Sequence, residues 1–345
     1  MPEITVGITT YNLEKYIRKC IQELLQQTYQ SFEIIIYDDC SKDQTRSLLQ
    51  EIKKEHTDRI KLILGETPLK SPALARNAIL DSGMVTGKYI MFLDGDDNIE
   101  TDFLESLYTA AEENQSEITL CAYDRIEERT GHILAQEMRE FPKKIQIPLA
   151  EDDSVLAFIN GSLWNKLILV RCIGEIRMQN FNAGEDLSFQ LALFNRCNQI
   201  ACVDQVLIHY RVRSSSVISN TQEETVYQFA QELQHLWVEA FNKQWLRNSL
   251  ELIAFIHIGI SMPLRLSNNP DIKLNHILKW INNYFKENYQ WFYKNPMFRL
   301  SSLAQHGLKG LGLWAAQVCY KLHCSALFIW MYQFITDIFH IELKF

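Results

Sequence analysis

Through the first 215 residues, short apolar runs alternate with stretches of helical spacing. Ile4–Thr9 is the first run, and Leu13 to Gln27 then places Tyr16, Ile17, Cys20, Ile21, Leu24 and Leu25 on one side of a predicted helix. Phe32–Tyr37 is a second strand. Ser41-Lys42-Asp43 opens a helix to about Lys54, with Ser41 or Asp43 as its N-cap. Ile60–Leu64 reads as a third strand, Ala73–Met84 as a third helix, and Tyr89–Leu93 as a strand apolar at every position, hence buried on both faces. Asp102–Glu113 predicts a helix and Glu117–Tyr123 a strand. Residues 124–153 are polar and predict a hairpin or irregular excursion. An amphipathic helix follows Glu185-Asp186, and Ile200–Tyr210 is the last strand. Such alternation predicts an α/β fold, a mostly parallel Rossmann-like sheet with helices on both faces.

From about Thr221 the pattern changes to long, aromatic, helical segments, with breaks expected at Pro263, Asn268-Asn269-Pro270, Pro296 and Gly307–Gly312. A boundary near residue 220 therefore divides a 1–220 domain from a helical 221–345 region. Composition fits a globular chain of 345 residues: 47% hydrophobic, 22% charged, net charge −8. That balance argues against a general nucleic-acid binder. It is uneven, because the last hundred residues hold 10 Lys/Arg against 5 Asp/Glu, leaving −13 on the first 245. The eight cysteines form no CxxC pair, several lie in apolar runs, and they read as reduced core thiols of a cytoplasmic protein. The fold is expected to begin at Glu3 with no leader ahead of it.

In parallel sheets ligands sit beyond the carboxyl ends of the strands. The residues there are Thr9, Tyr11, Asp38, Asp39, Asp94, Asp96 and Asp97. A buried strand that runs into Asp94-Gly95-Asp96-Asp97 desolvates carboxylates, which is costly without a partner. A divalent cation, Mg²⁺ or Mn²⁺, bridging to a substrate phosphate is one partner. Alone, the same residues also fit an ordinary polar turn.

Five motifs in order carry a resemblance. They are Thr-Thr-Tyr-Asn at 9–12, QTYQSFEIIIYDDCSKDQT at 27–45, ALARN at 73–77, YIMFLDGDD at 89–97 and GEDLSF at 184–189. Together they resemble the family 2 glycosyltransferases of GT-A fold over roughly the first 215 residues, of the type that builds bacterial cell-surface polysaccharide. The resemblance implies inverting transfer of a sugar from a nucleotide diphosphate donor, UDP favoured, to a glycan or lipid-linked acceptor. It implies that Thr9 and Tyr11 contact the nucleotide, that Asp39 accepts from the uracil N–H, and that Asp38 holds that loop. Arg76 would face the base or diphosphate. Asp97, with Asp96 at the metal or ribose and Asp94 in support, matches the metal-binding acidic motif. Asp186 matches the general base, and Glu185 would orient it or bind acceptor. Arg211 and Arg213 match the basic segment after the last strand, where His is common in the family, and Trp164 and Lys166 match an acceptor-side segment. Without the resemblance, Glu185-Asp186 reads equally as a helix N-terminus favoured by its dipole.

Two other functions compete. A sugar nucleotidyltransferase shares the acidic chemistry but needs a glycine-rich phosphate loop after the first strand, which Thr9–Asn12 lacks. A non-catalytic nucleotide-binding scaffold would explain Asp38-Asp39 but not GEDLSF. In the tail, aromatics at 284–298 mix with Lys286, Lys294 and Arg299 in a manner suited to a membrane interface. Ala326–Phe339 is apolar on nearly every face, with Gln333, Asp337 and His340 as one narrow stripe. The region is expected either to touch the inner face of the plasma membrane or to form a homodimer.

Overall fold

The computed structural model describes residues 1–138, 146–148, 153–181, 184–212, 222–240, 242–267, 269, 271–289 and 294–339. The chain divides into two compact units: residues 1–152, 160–180 and 184–216 form one, and 153–159, 181–183 and 217–345 the other.

The first unit is built on a ten-stranded sheet. In chain order its strands are β1 (Ile4–Thr10), β2 (Phe32–Asp38), β3 (Ile60–Leu64), β4 (Tyr89–Asp94), β5 (Asn98–Ile99), β6 (Ile118–Glu127), β7 (Ile133–Glu137), β8 (Gln146–Pro148), β9 (Lys166–Leu169) and β10 (Gln199–Val212). The main path runs β3-β2-β1-β4-β9-β6-β10-β5, with β7 paired to β6 and β8 to β10. The polar stretch after β6 thus includes a hairpin strand, β7, antiparallel to β6. β1, β2, β3 and β4 are parallel to one another, and β10 is parallel to β6. Their burial follows from composition: every residue of β2 is buried, as are the first five of β4.

The chain builds β1, β2 and β3 in one direction, then returns past β1 to lay down β4. That reversal places a switch point between the carboxyl ends of β1 and β4, where Thr9 lies in register with Asp94 and Thr10 with Asp38. β9 is short and pairs only with Tyr89 and Ile90 of β4. Beyond Ile90, β4 continues to Asp94 with β1 as its ladder partner.

The helices of this unit are α1 (Ile17–Leu25), α2 (Thr45–Glu55), α3 (Pro72–Asp81), α4 (Phe103–Asn114), α5 (Val170–Ile173) and α6 (Glu185–Phe194). Two begin later than their spacing predicts, for one reason. The loops after β1 and β2 bond to each other. Asn12 N donates to Ser41 Oγ, Lys42 N to Asn12 Oδ1, Leu13 N to Thr45 Oγ1, Glu14 N to Asp43 Oδ2 and Gln44 N to Glu14 Oε2. Amides at 12–14 that would open α1 are satisfied across the gap instead. Ser41 is drawn into the same network and does not cap α2; Asp43 joins it through Oδ2, but its Oδ1 still accepts Thr45 N at 3.0 Å, the first amide of α2, from one residue before the N-cap position. That position falls to Gln44, whose side chain makes no capping bond. α3 is capped as the rule predicts: the Ser71 oxygen accepts from Leu74 N, and Pro72 follows.

The second unit is helical. It contains α7 (Glu223–Glu239), α8 (Gln244–Ala254), a π-helical stretch Phe255–Ser261, α9 (Met262–Leu266), α10 (Leu274–Asn288), α11 (Leu300–Leu303), α12 (Gly307–Lys321) and α13 (Ser325–Phe339). Pro263 does not break the chain here. The helix runs through it from Trp245 to Leu266, and 78% of its most apolar stretch is buried, which makes it this unit's core helix. Pro263 has no N–H to give the carbonyl four residues earlier. That carbonyl, on Gly259, lies in the π-helical stretch and accepts the Tyr320 hydroxyl at 2.6 Å. The first of the glycines at 307–312 makes the expected break: Gly307, at φ +61°, ends the short helical stretch that follows α11. The glycines then open α12, and Gly310 is needed because a Cβ there would stand 1.7 Å from the Leu303 carbonyl oxygen. The aromatic residues around 284–298 correct another expectation: Tyr284, Phe285, Tyr289 and Phe298 are buried and pack on one another and on Phe255. They form a core rather than a membrane-facing surface. Trp291, Phe292 and Tyr293 lie outside the described residues.

Candidate active site

Asp38 ends β2 and is fully buried. Thr10 Oγ1 and Ser41 Oγ donate to its Oδ1, Ser41 N donates to its Oδ2, and Arg46 pairs with Oδ2 at 2.9 Å. Three hydrogen bonds and one ion pair hold this buried carboxylate, and it props the loop. Cys40 sits at φ +59°, the left-handed turn this loop requires, and its thiol reaches the Gly65 carbonyl. Asp39 accepts the backbone N–H groups of Leu69 at 2.6 Å and Lys70 at 2.8 Å. Both oxygens therefore already hold the 69–70 loop, with lone pairs left over. Thr9 lies at the carboxyl end of β1, and the Tyr11 ring beyond it is 51% exposed.

The centre of the site is Arg76, on α3. Its side chain is 5% exposed, and it bridges two carboxylates: Nη2 donates to Asp94 Oδ1 at 3.0 Å and Nη1 to Asp186 Oδ1 at 2.5 Å. Burial works against the Arg76 charge, but Asp186 and Asp94 more than restore it, and its pKa rises. Two of the five guanidinium N–H donors are thus held by carboxylates of this chain. Asp186 reaches this position through Gly184. A backbone φ of +94° suits glycine there, and it turns the chain so that Glu185 and Asp186 form the first turn of α6. Burial lifts the Asp186 carboxyl to about 7; Glu185 and Asp94 add to the lift and Arg76 opposes it. The helix N-terminus favours its charge, but desolvation and its acidic neighbours outweigh that.

Asp96 and Asp97 lie on the loop after β4. Asp97 Oδ1 accepts Arg211 N at 3.0 Å, while its Oδ2 is buried with no hydrogen-bond partner. Burial first, then Asp94 and Asp96, push the Asp97 carboxyl well above its ordinary range. Arg211 folds back over the same loop: Nε donates to the Asp96 carbonyl, Nη2 to Asn98 Oδ1, and its guanidinium lies 5.6 Å from the Tyr16 ring centre. Arg213 lies outside the described residues. Among those described, no group of three or more His, Cys, Asp or Glu side chains is arranged to hold an ion by itself. The Asp96–Asp97 pair, with one orphaned oxygen and mutual repulsion, fits a cation that takes its remaining oxygens from elsewhere.

Trp164 and Lys166 are not open to an acceptor. Trp164 is 5% exposed, stacked on Tyr210 (5.3 Å, 6°) and edge-on to Tyr123. Lys166 is fully buried, and its Nζ donates to Asn160 O and Oδ1, Ser162 O and Asn165 Oδ1 at 2.6–3.0 Å. Burial pulls its pKa down to about 7. It ties the 160–166 loop together, and Glu185 is half-buried beside Asp186 at the start of α6. Two participants escape the sequence reading. Arg46 supports Asp38 from α2, where it looks like any surface basic residue. Gln190, one helical turn after Asp186, is buried with neither amide atom partnered; its only signal is a polar residue inside the apolar run LSFQLALF.

The chain matches the model of "Glycosyl transferase family 2" over residues 5–178. Glycosyltransferase GlyA of Streptococcus pneumoniae serotype 4 is 31% identical over 222 residues, 62% of this chain and 31% of GlyA. The chain thus aligns with under a third of that relative. TuaG of Bacillus subtilis (strain 168), a glycosyltransferase named for teichuronic acid biosynthesis, is 30% identical over 221 residues, 64% of this chain and 82% of TuaG. Among solved structures, Staphylococcus aureus TarS 1–349 with UDP-GlcNAc superposes with a TM-score of 0.69 at 18% identity, covering 96% of this chain and 92% of that one. The mannosyltransferase PcManGT of Pyrobaculum calidifontis, with GDP-Man and Mn²⁺, gives 0.52 at 14%, covering 99% and 88%. At those identities the structural likeness establishes the GT-A fold.

Proposed function

Because this chain belongs to glycosyl transferase family 2, we propose that it moves a sugar from a nucleotide diphosphate, UDP in preference, onto a glycan or lipid-linked acceptor of a bacterial cell-surface polysaccharide, with inversion at the transferred carbon. The observation that carries the reading is the Asp94–Arg76–Asp186 bridge at the switch point of the sheet. The relatives support it: GlyA is named a glycosyltransferase, TuaG carries teichuronic acid synthesis in its name, and TarS was solved with UDP and with UDP-GlcNAc.

Inverting transfer needs one base on the acceptor side. Asp186 suits that part. Arg76 fixes Oδ1, leaving Oδ2 to take the acceptor proton, and a carboxyl titrating near 7 is matched to work at neutral pH. As the proton passes to Asp186, the acceptor oxygen bonds to the anomeric carbon, the bond from that carbon to the phosphate oxygen breaks, and the nucleoside diphosphate leaves with that electron pair. Asp97 and Asp96 would hold Mn²⁺ or Mg²⁺, which when bound neutralises charge on the departing diphosphate. Tyr11 would cover the nucleotide, and Arg211, clamped to the Asp96–Asp97 loop, would serve the diphosphate. Asp39 keeps lone pairs for a base N–H while it holds residues 69–70. Trp164 and Lys166 serve the acceptor side by shaping its wall.

The deciding experiment is a nucleotide-sugar transfer and hydrolysis assay on the full chain, with Mn²⁺ and with chelator. Metal-stimulated release of UDP from a UDP-sugar supports the reading. Release of pyrophosphate from UTP and a sugar phosphate would instead identify a nucleotidyltransferase.

A further inference from the structure

Helix α13 is turned inside out. It buries Phe328 and Ile329 and points Gln333 inward, where Nε2 donates to Ser267 Oγ at 2.6 Å. Its water-facing side carries Leu327, Trp330 and Phe334, the last two 60% and 53% exposed. The neighbouring helix α12, which packs against it, does the same with Leu308 (74% exposed), Leu311 and Trp314. Spacings of three and four residues line each set along one face. Large exposed apolar patches on a folded surface mark a docking site.

Charge identifies the occupant. From Leu300 to Phe339 there are two lysines, Lys309 and Lys321, two histidines and a single carboxylate, Asp337, in a chain with 42 acidic residues. A second copy of the chain would meet this patch with the same two lysines and only Asp337 to answer them. An anionic bilayer answers both the apolar stripe and the lysines. Length settles the mode: the 15 residues of α13 reach about 22 Å, short of a hydrocarbon core of about 30 Å. The helix therefore lies in the interface and does not cross it. We propose that the outward faces of α12 and α13 dock the protein on the surface of an anionic membrane, with Trp314 and Trp330 seated at headgroup depth. This docking is independent of the transfer chemistry.

The test is sedimentation of the full chain with phosphatidylcholine vesicles, with and without phosphatidylglycerol. Binding to the anionic vesicles is expected, with clear preference over neutral ones. Trp330→Glu combined with Phe334→Glu, both at exposed positions, should weaken it about tenfold or more, with far-UV circular dichroism and melting unchanged. Lys309→Gln with Lys321→Gln should weaken binding to anionic vesicles about tenfold or more and leave neutral vesicles unaffected. No sedimentation with either composition overturns the proposal, as does equal binding to both. So does a stable dimer in solution that the Trp330→Glu variant dissociates, which would assign this face to a second copy.

Discussion

A single arginine, Arg76, ties together two carboxylates, Asp94 and Asp186. Asp186→Asn keeps the acceptor of Arg76 and removes the proton acceptor, so turnover should fall by about 10²–10⁴-fold while UDP binding by calorimetry stays within about twofold. Because Asp186 must be ionised to act and titrates near 7, kcat/KM should climb as pH rises through about 7 and level off above it. Arg76→Gln removes the charge that lowers this pKa, so the same limb should move to higher pH; breaking a buried pair should also cost about 3 kcal/mol in a melting experiment. A pH profile that does not move in Arg76→Gln would detach Arg76 from the base. Asp97 makes the opposite kind of prediction. Its folded pKa lies above its unfolded value, so without a cation the folded state is progressively penalised as pH rises through and above the ordinary carboxylate range. Asp97→Asn should therefore raise the melting temperature in chelator, worth about 1–3 kcal/mol at neutral pH, and abolish the further rise that Mn²⁺ and UDP give the parent chain. A destabilised Asp97→Asn in chelator would show that the orphaned oxygen is satisfied in solution.

At the scale of elements, the core helix of the second unit passes Pro263 because another helix supplies the missing hydrogen bond. Tyr320→Phe strips the hydroxyl from the Gly259 carbonyl and leaves it buried. The expected cost is about 1–3 kcal/mol, read as a lower urea midpoint at unchanged slope. Wild-type stability for this variant would mean the π-helical stretch meets its own hydrogen bonds. The same logic holds in the first unit, where the loops after β1 and β2 satisfy one another and thereby delay α1 and α2.

At the scale of the molecule, two compact units with separate cores should unfold in two calorimetric steps rather than one. Ligands that bind only the folded state stabilise the part they bind, by about 2.7 kcal/mol at a hundredfold excess over Kd. UDP with Mn²⁺ should therefore shift only the step that belongs to the α/β unit, by several degrees. An equal shift of both steps would show that the units unfold together.

The alternation of β1 to β4 with α1 to α3, and the residues at the carboxyl ends of β1, β2 and β4, were determined by the sequence alone; β5, β9 and α5 were not. Periodicity reports which face is buried, and a parallel sheet sends its loops to one edge. The five motifs added the family. Tertiary structure alone decided how the charges pair, because partners such as Arg76 and Asp186 lie 110 residues apart and no local pattern encodes them. It turned Lys166 from a candidate ligand into a buried tie, and it drew Ser41 away from the helix it resembles a cap for. It carried a helix through Pro263 with a hydroxyl from Tyr320, and it sorted two aromatic stretches of like composition. The one around Tyr284 became core, while the stripe at Trp330 and Phe334 stayed outside, because burial depends on which neighbour arrives and not on hydrophobicity alone.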